Sequence, residues 1–189
     1  MKDKPDTWKR ISSKRIADCR VFNVREDLSG HESDALQGKF FVIESPDWVN
    51  IIALTKQNEV VLIEQFRHGS EEIITEIPGG MIDEDESPET AARRELLEET
   101  GFSSDEFILL GKSHPNPAIQ NNSIFHFLAL DCQKTHETTF DEHESVVSKL
   151  VSSDEIENLI KTGKITHSLV LAAFYRFSLH PIFATRQLI

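Results

Sequence analysis

One helix with sharply marked ends constrains the fold of this chain more than any other stretch. Ser87 followed by Pro88 is typical of a helix start, with serine as the N-cap and proline in the first turn. Strong helix formers continue from there to Gly101, a residue that commonly ends a helix in the left-handed conformation. We therefore expect a helix of about three to four turns over residues 88–100.

Three glutamates lie on one side of this helix: Glu95, Glu98 and Glu99. Residues three and four apart are neighbours on a helix, so these carboxylates repel one another unless a cation lies among them. Such all-oxygen ligands suit magnesium or manganese, which also hold phosphates. A solvated acidic helix surface is the alternative. The preceding Gly79-Gly80 argues against it, because adjacent glycines let the backbone approach a ligand.

Strand-like runs and helix-like runs alternate around this helix. The helical patterns are residues 154–161 and 168–179, and the strand patterns are residues 49–54, 59–66, 73–77, 107–110 and 124–130. The first two strands are separated by four turn-forming residues and predict a hairpin. Strands with interspersed helices predict an α/β or α+β domain.

The first 44 residues have a different pattern from the rest of the chain. Short alternating runs at 15–24 and 39–43 flank a polar segment at 27–38, which predicts two or more antiparallel strands around a loop. So small a sheet is unstable alone and must lean on the rest of the chain or on a second subunit. A break at Ser45-Pro46-Asp47 divides the chain into residues 1–44 and 45–189.

Composition excludes several classes of function. The formal net charge is −12, so we expect no non-specific binding to nucleic acid or to an anionic membrane. The apolar run at 169–177 contains Arg176 and is too short to span a membrane, and the charged start does not resemble a secretory signal. With only Cys19 and Cys132, a disulfide framework is excluded and a cytoplasmic setting is expected.

Residues 80–102 resemble the signature of the Nudix hydrolase family at every specified position. The matching residues are Gly80, Glu86, Arg94, Glu95, Leu96, Glu98, Glu99, Gly101 and Phe102. This resemblance implies an α/β fold, namely the Nudix α/β/α sandwich with a mixed sheet, preceded here by the small N-terminal antiparallel β segment. It also implies hydrolysis of a nucleoside diphosphate linked to another moiety.

The resemblance also implies roles for individual residues. Glu95 and Glu99 become ligands of Mg²⁺, with Mn²⁺ as the alternative ion, and Glu98 becomes a ligand or a helper. The backbone carbonyl of Gly79 matches a further metal position. Arg94 would orient the glutamates by ion pairing, and Glu86 would close the loop onto the helix.

Further features resemble the ADP-ribose pyrophosphatase subgroup, whose N-terminal β segment packs across the partner subunit of a homodimer. By this resemblance Arg67 faces substrate phosphate or ribose, and Glu76 faces the base or ribose. Pro117 stands close to the sequence position at which that subgroup carries a proline. The loop around it departs from the subgroup, because it lacks Ser-Pro-Gly and an acidic residue. Its amides, Gln120 among them, either bind sugar hydroxyls or build turns.

The acidic stretch at residues 141–144 supplies the last candidate catalytic and metal-binding residues. By the same resemblance Glu142 is the general base and Glu144 a further metal ligand, with Glu98 as another candidate base. A solvated acidic turn is the alternative interpretation.

The expected activity is hydrolysis of ADP-ribose or a related nucleoside diphosphate sugar, with GDP-mannose and ADP-glucose both open. Two other readings remain. One is a Nudix hydrolase for a dinucleoside polyphosphate or coenzyme A, and the other is a non-catalytic module that binds sugar nucleotides.

Overall fold

The structure is a computed structural model, and it describes residues 4–31, 35–138 and 145–185. The chain divides into two units. One comprises Met1–Pro46 together with His114–Ser123, and the other comprises Asp47–Ser113 together with Ile124–Ile189. Each is described separately below.

The first unit contains an antiparallel sheet of strands β1 (Trp8–Asp18), β2 (Asn23–His31) and β3 (Gln37–Glu44), in the order β1-β2-β3. This confirms the predicted N-terminal antiparallel segment. The predicted run at 15–24 is wrong as a single strand, because β1 ends at Asp18 and the chain turns at Arg20, whose φ is 65°.

Strand β2 also extends into the segment predicted as a loop. Charged residues of β2 form ion pairs with each other and with a residue of β3. Lys39 Nζ lies 2.9 Å from a carboxylate oxygen of Glu26, and Arg25 Nε donates to Asp27 at 2.9 Å. The loop prediction failed here because polar residues were taken as a sign of irregular structure, whereas residues 27–30 pair with β1 on one side and β3 on the other.

The loop 114–123 belongs to this unit by hydrogen bonding. Ile43 N–H donates to Ile119 O at 2.7 Å, and Asn121 N–H donates back to Ile43 O at 3.3 Å. Gln120 forms an isolated parallel bridge with Ile43. The loop thus continues the hydrogen bonding at the end of β3.

The second unit is a mixed sheet with helices on both faces. Its helices are α1 (Pro88–Thr100), α2 (Ser153–Lys161), α3 (Ser168–Ser178) and α4 (Pro181–Thr185). Its strands are β4 (Trp48–Thr55), β5 (Glu59–Arg67), β6 (Glu72–Glu76), β7 (Gly79–Met81), β8 (Phe102–Ser103), β9 (Glu106–Ser113), β10 (Ile124–Lys134) and β11 (Val146–Ser152). Strands β4 and β10 pair in parallel, and the other pairs are antiparallel.

Alternate residues of β4 build the two hydrophobic cores of this unit. Ile51 and its neighbours two residues away pack with Ala92 and Leu96 of α1. Ile52 and Leu54 instead join the core that contains buried residues of α2 and α3. Because successive side chains of a strand point to opposite faces, one strand serves both layers. The layers confirm the predicted α/β/α sandwich.

Helix α1 has the predicted ends. Ser87 Oγ accepts a hydrogen bond from Thr90 N–H at 3.1 Å, and Pro88 occupies the first turn. At the other end Gly101 has φ 73°, and its N–H donates to Leu97 O at 2.8 Å. The glutamates of the signature are therefore carried on a helix whose register is fixed at both ends.

Candidate active site

Arg94 connects the acidic loop to the glutamates of α1. Its Nε and Nη2 donate to the two carboxylate oxygens of Glu86 at 3.1 and 2.9 Å, and Nη2 also donates to Met81 O at 3.0 Å. Its Nη1 donates to Glu95 at 2.9 Å and to Glu98 at 3.2 Å. These hydrogen bonds from Arg94 hold the pKa of Glu86 below its usual value, and the carboxylates raise the pKa of Arg94. The arrangement is the one that an orienting arginine needs, while the role of Arg94 in the reaction stays a prediction.

The two-glycine strand β7 lies against the same face of α1. Gly79 N–H donates to Glu99 Oε2 at 2.9 Å, and Glu99 is only 4% exposed. A side chain on Gly80 would meet the Glu95 carboxylate, whose Oε2 lies 2.8 Å from the position of the added carbon. The glycines therefore permit the close approach of backbone and carboxylates that the sequence predicts.

The donor set fits a divalent metal. Three glutamate carboxylates and a backbone carbonyl are hard oxygen ligands, which suit magnesium or manganese. In the described parts of the chain no three His, Cys, Asp or Glu side chains already surround a common metal position. Arg94 explains part of this, because it is hydrogen-bonded to both Glu95 and Glu98. The predicted ligand roles of Gly79, Glu95, Glu98 and Glu99 stay predictions.

Arg67 and Glu76 contact each other across strands β5 and β6. Arg67 Nε and Nη2 donate to the two Glu76 oxygens at 2.7 and 2.9 Å, and Glu76 is 3% exposed. His167 Nδ1 lies 3.0 Å from Glu76 Oε2. Burial alone would raise the pKa of Glu76, but Arg67 and His167 outweigh it and hold this pKa at about 2. Glu76 is therefore a buried anion paired with Arg67, and its predicted contact with the base or ribose stays a prediction.

Four further predicted residues lie either outside the described residues or in the first unit. Glu142 and Glu144 lie outside the described residues. Pro117 and Gln120 belong to the loop described with the first unit. Their proposed contacts with metal, water or sugar therefore stay predictions.

Sequence reasoning missed His167. This histidine immediately precedes α3, at the N-cap position, and comes next to Glu76 only through the folded sheet. The available signal was a histidine just before a predicted helix start. That signal does not reveal a partner on a distant strand.

The sequence also resembles those of known proteins. The NUDIX domain model matches residues 45–174. A methanol dehydrogenase activator from Bacillus methanolicus is 30% identical over 166 residues, covering 87% of this chain and 89% of that protein. The ADP-ribose pyrophosphatase of Bacillus subtilis (strain 168) is 27% identical over 162 residues, covering 83% and 88%. The GDP-mannose pyrophosphatase of Escherichia coli (strain K12) is 32% identical over 155 residues, covering 77% and 80%.

A solved structure described as that of an ADP compounds hydrolase has the same fold. It superposes with a TM-score of 0.82 at 20% sequence identity and covers 97% of this chain and 96% of its own. The chain therefore belongs to the Nudix family of hydrolases. Hydrolases of this family generally need a divalent metal, in agreement with the oxygen-rich donor set.

Within the described residues, no helix is both long and apolar enough to cross a membrane.

Proposed function

We propose that this protein is a magnesium-dependent pyrophosphatase for ADP-ribose or a related nucleoside diphosphate sugar. Its products would be a nucleoside monophosphate and a sugar phosphate. The observation that carries the proposal is the arrangement of three glutamates on α1: Glu99 accepts a hydrogen bond from Gly79 N–H of β7, and Arg94 donates to Glu95 and Glu98. The names of two relatives, an ADP-ribose pyrophosphatase and a GDP-mannose pyrophosphatase, support a sugar nucleotide as the substrate.

In the proposed mechanism Mg²⁺, with Mn²⁺ as the alternative ion, would be held by Glu95, Glu98, Glu99, Glu144 and the carbonyl of Gly79. When bound, the ion neutralises pyrophosphate charge and lowers the pKa of a bound water. Glu142 or Glu98 takes the proton from the attacking water, whose oxygen bonds to one phosphorus as the bridging P–O bond breaks.

Substrate binding is assigned to other residues of the chain. Arg67 binds the phosphate or ribose and Glu76 faces the base or ribose, while Pro117 and Gln120 belong to the loop whose amides would bind the sugar. A guanidinium suits this role because its planar fork matches phosphate oxygens.

A single substitution on α1 tests the metal assignment. Glu99→Gln keeps the shape of the side chain but removes the charge that a divalent cation needs. We expect it to lower kcat by roughly two to four orders of magnitude, the range over which losing one positioned charge acts in such sites. The measurement is phosphate-coupled hydrolysis of ADP-ribose, GDP-mannose, ADP-glucose and diadenosine polyphosphates, with and without Mg²⁺.

The matched control is Glu89→Gln on the same helix, because Glu89 is exposed and pairs with Arg93 away from the glutamate cluster. Its kcat should stay near that of the wild type. A Glu99→Gln protein with normal turnover contradicts the metal assignment. Preferred turnover of a diadenosine polyphosphate by the wild type would move the substrate to another Nudix class.

A second candidate function is regulatory. It is favoured by the relative named as a methanol dehydrogenase activator, at 30% identity. In that reading the chain binds a sugar nucleotide or acts on a dehydrogenase without turning over the substrates above. Binding of ADP-ribose without any Mg²⁺-dependent hydrolysis would favour this candidate over the first.

The proposal includes a homodimer in the cytoplasm, assembled through residues 1–44. The support is the exposed apolar surface of the three-stranded sheet, which includes Ile11, Ile16 and Phe41. Sedimentation equilibrium of the full chain measures the mass directly. A monomer at micromolar concentration would remove this part of the proposal and leave the hydrolytic part standing.

A further inference from the structure

The side chain of Arg67 reaches the surface from a buried carboxylate. Arg67 is partly exposed, whereas Glu76 beneath it is almost fully buried and receives two hydrogen bonds from the guanidinium. A carboxylate so enclosed has little room for a ligand of its own. Arg67 therefore links this buried carboxylate to the surface.

His167 approaches the same carboxylate from another element. The residue has extended backbone angles at the start of α3, and its side chain makes no capping hydrogen bond to that helix. Its Nδ1 is buried and has no well-aligned hydrogen-bond partner among the described residues, yet Glu76 Oε2 lies only 3.0 Å away. The ring is thus turned towards Glu76 rather than towards the helix it precedes.

Helix α3 gives His167 a fixed base. The side-chain amide of Asn50 on β4 donates to Leu169 O in the first turn of α3 at 3.1 Å. The start of the helix is therefore tied to the sheet that carries β5 and β6. A partner held in this way restricts rotation of the Glu76 carboxylate, and a fixed carboxylate restricts the long Arg67 side chain before substrate arrives.

We propose that His167 is a positioning residue that acts through Glu76 to hold Arg67 ready for the phosphate or ribose of the substrate. This inference rests on the proposed function, because it assigns Arg67 to substrate binding. It predicts an effect on KM rather than on the chemical step, since Arg67 is not placed among the residues that activate water.

Two variants of nearly equal shape separate positioning from folding. His167→Asn retains an N–H donor near the position of Nδ1, whereas His167→Asp presents a carboxylate to the Glu76 carboxylate. Both asparagine and aspartate are good N-cap residues, so helix α3 should tolerate either. We expect His167→Asp to raise KM roughly five- to tenfold with kcat within about twofold, as for loss of one contact to a charged group. His167→Asn should have a KM close to that of the wild type.

The control is His136→Asp, which adds the same charge at an exposed position outside this group. Its KM should match that of the wild type. Equal KM values for His167→Asp and the wild type contradict the inference, as does an equal loss of kcat in both His167 variants.

An NMR signal of Arg67 tests the inference without turnover. The Nε–Hε cross-peak, assigned with Arg67→Lys, should be sharp in the wild type and in His167→Asn, and shifted or broadened in His167→Asp. An identical peak in all three proteins contradicts the inference. If the wild type hydrolyses no sugar nucleotide, the proposed function fails and this comparison alone decides whether His167 positions Arg67.

Discussion

At the scale of single residues, the two glycines of β7 have different neighbours and should respond differently to the same change. A side chain on Gly79 would meet backbone, with Asn50 Cα at 2.8 Å, whereas one on Gly80 would meet the mobile end of Glu95. Backbone atoms of a central strand cannot move aside cheaply, but a carboxylate can turn away. Gly79 is therefore needed for the packing of the fold, and Gly80 is needed for the position of the Glu95 carboxylate.

We expect Gly79→Ala to lower the free energy of unfolding by about 1–3 kcal/mol, the usual cost of overpacking. Gly80→Ala should unfold at nearly the wild-type urea concentration but lose most of its kcat, because Glu95 is displaced. Urea titration and the hydrolysis assay measure the two effects separately. If Gly80→Ala retains full activity, the conformation of Glu95 seen here is not the one that the reaction needs.

The contact that the family signature contains was easier to predict than the contacts that depend on the folded sheet. The contact between Glu86 and Arg94 follows from the Nudix signature, because both residues lie within one loop and helix. The pairing of Glu76 with Arg67 depends on the register of β5 with β6, and His167 joins from a helix far along the chain. Residue spacing alone does not fix this register, which depends on the hydrophobic pattern and on turn geometry.

At the scale of elements, the N-cap of α1 is a measurable contribution to stability. Ser87 Oγ satisfies Thr90 N–H, one of the backbone donors that a helix start leaves without a helical partner. Ser87→Ala should therefore lower the free energy of unfolding by about 1 kcal/mol, measured by urea titration.

Ser87→Asp is the matched variant, because aspartate caps a helix as well as serine does. Its stability should remain close to that of the wild type. Equal losses in the alanine and aspartate variants would mean that the hydroxyl acts through a contact other than the cap.

The elements themselves were predictable where local signals are strong. Both ends of helix α1 were predicted, because the residues that cap a helix are its immediate neighbours in the sequence. Strand β7 was missed because it is three residues long and contains two glycines, which have low strand propensity. It forms because β4 pairs with it and Ile51 N–H donates to Pro78 O at 2.8 Å. Strand β11 was missed because it pairs with β5 at the side of the sheet, a contact that local pattern does not report.

At the scale of the whole molecule, stability should depend on pH through a buried histidine. His126 is fully buried between Ser113 Oγ at 2.6 Å and Asn50 Oδ1 at 2.8 Å. Burial, with the nearby charge of Arg176, lowers the pKa of His126 from 6.5 to about 4. The unfolded chain therefore binds a proton at a higher pH than the folded chain does.

The free energy of unfolding should fall as pH drops from about 6.5 to about 4, by up to roughly 3 kcal/mol from this group. Glu76 acts in a lower window: its depressed pKa adds stability above about pH 4.5 that is lost as pH falls towards 2. Urea titrations across this range should show a smaller slope between pH 6.5 and 4 in His126→Gln than in the wild type. Equal slopes would assign the pH dependence to other groups.

The layered architecture was predictable, whereas the composition of its units was less so. A break near residue 45 is visible in the sequence. The association of residues 114–123 with the first strands is not visible in the sequence. It depends on hydrogen bonds between Ile43 and residues far along the chain. Such pairing is decided by the folded sheet rather than by neighbours in sequence.

The parallel pairing of β4 with β10 has a consequence during synthesis. Strand β4 is synthesised before its parallel neighbour, which begins only at Ile124, and much of the cover for Ile52 and Leu54 comes from α2 and α3, later still. The face of β4 that carries Ile52 and Leu54 therefore lacks much of its cover until residues 153–178 have been synthesised. The nascent chain is exposed to aggregation until its last helices emerge, and chaperones that bind extended apolar segments should engage it then.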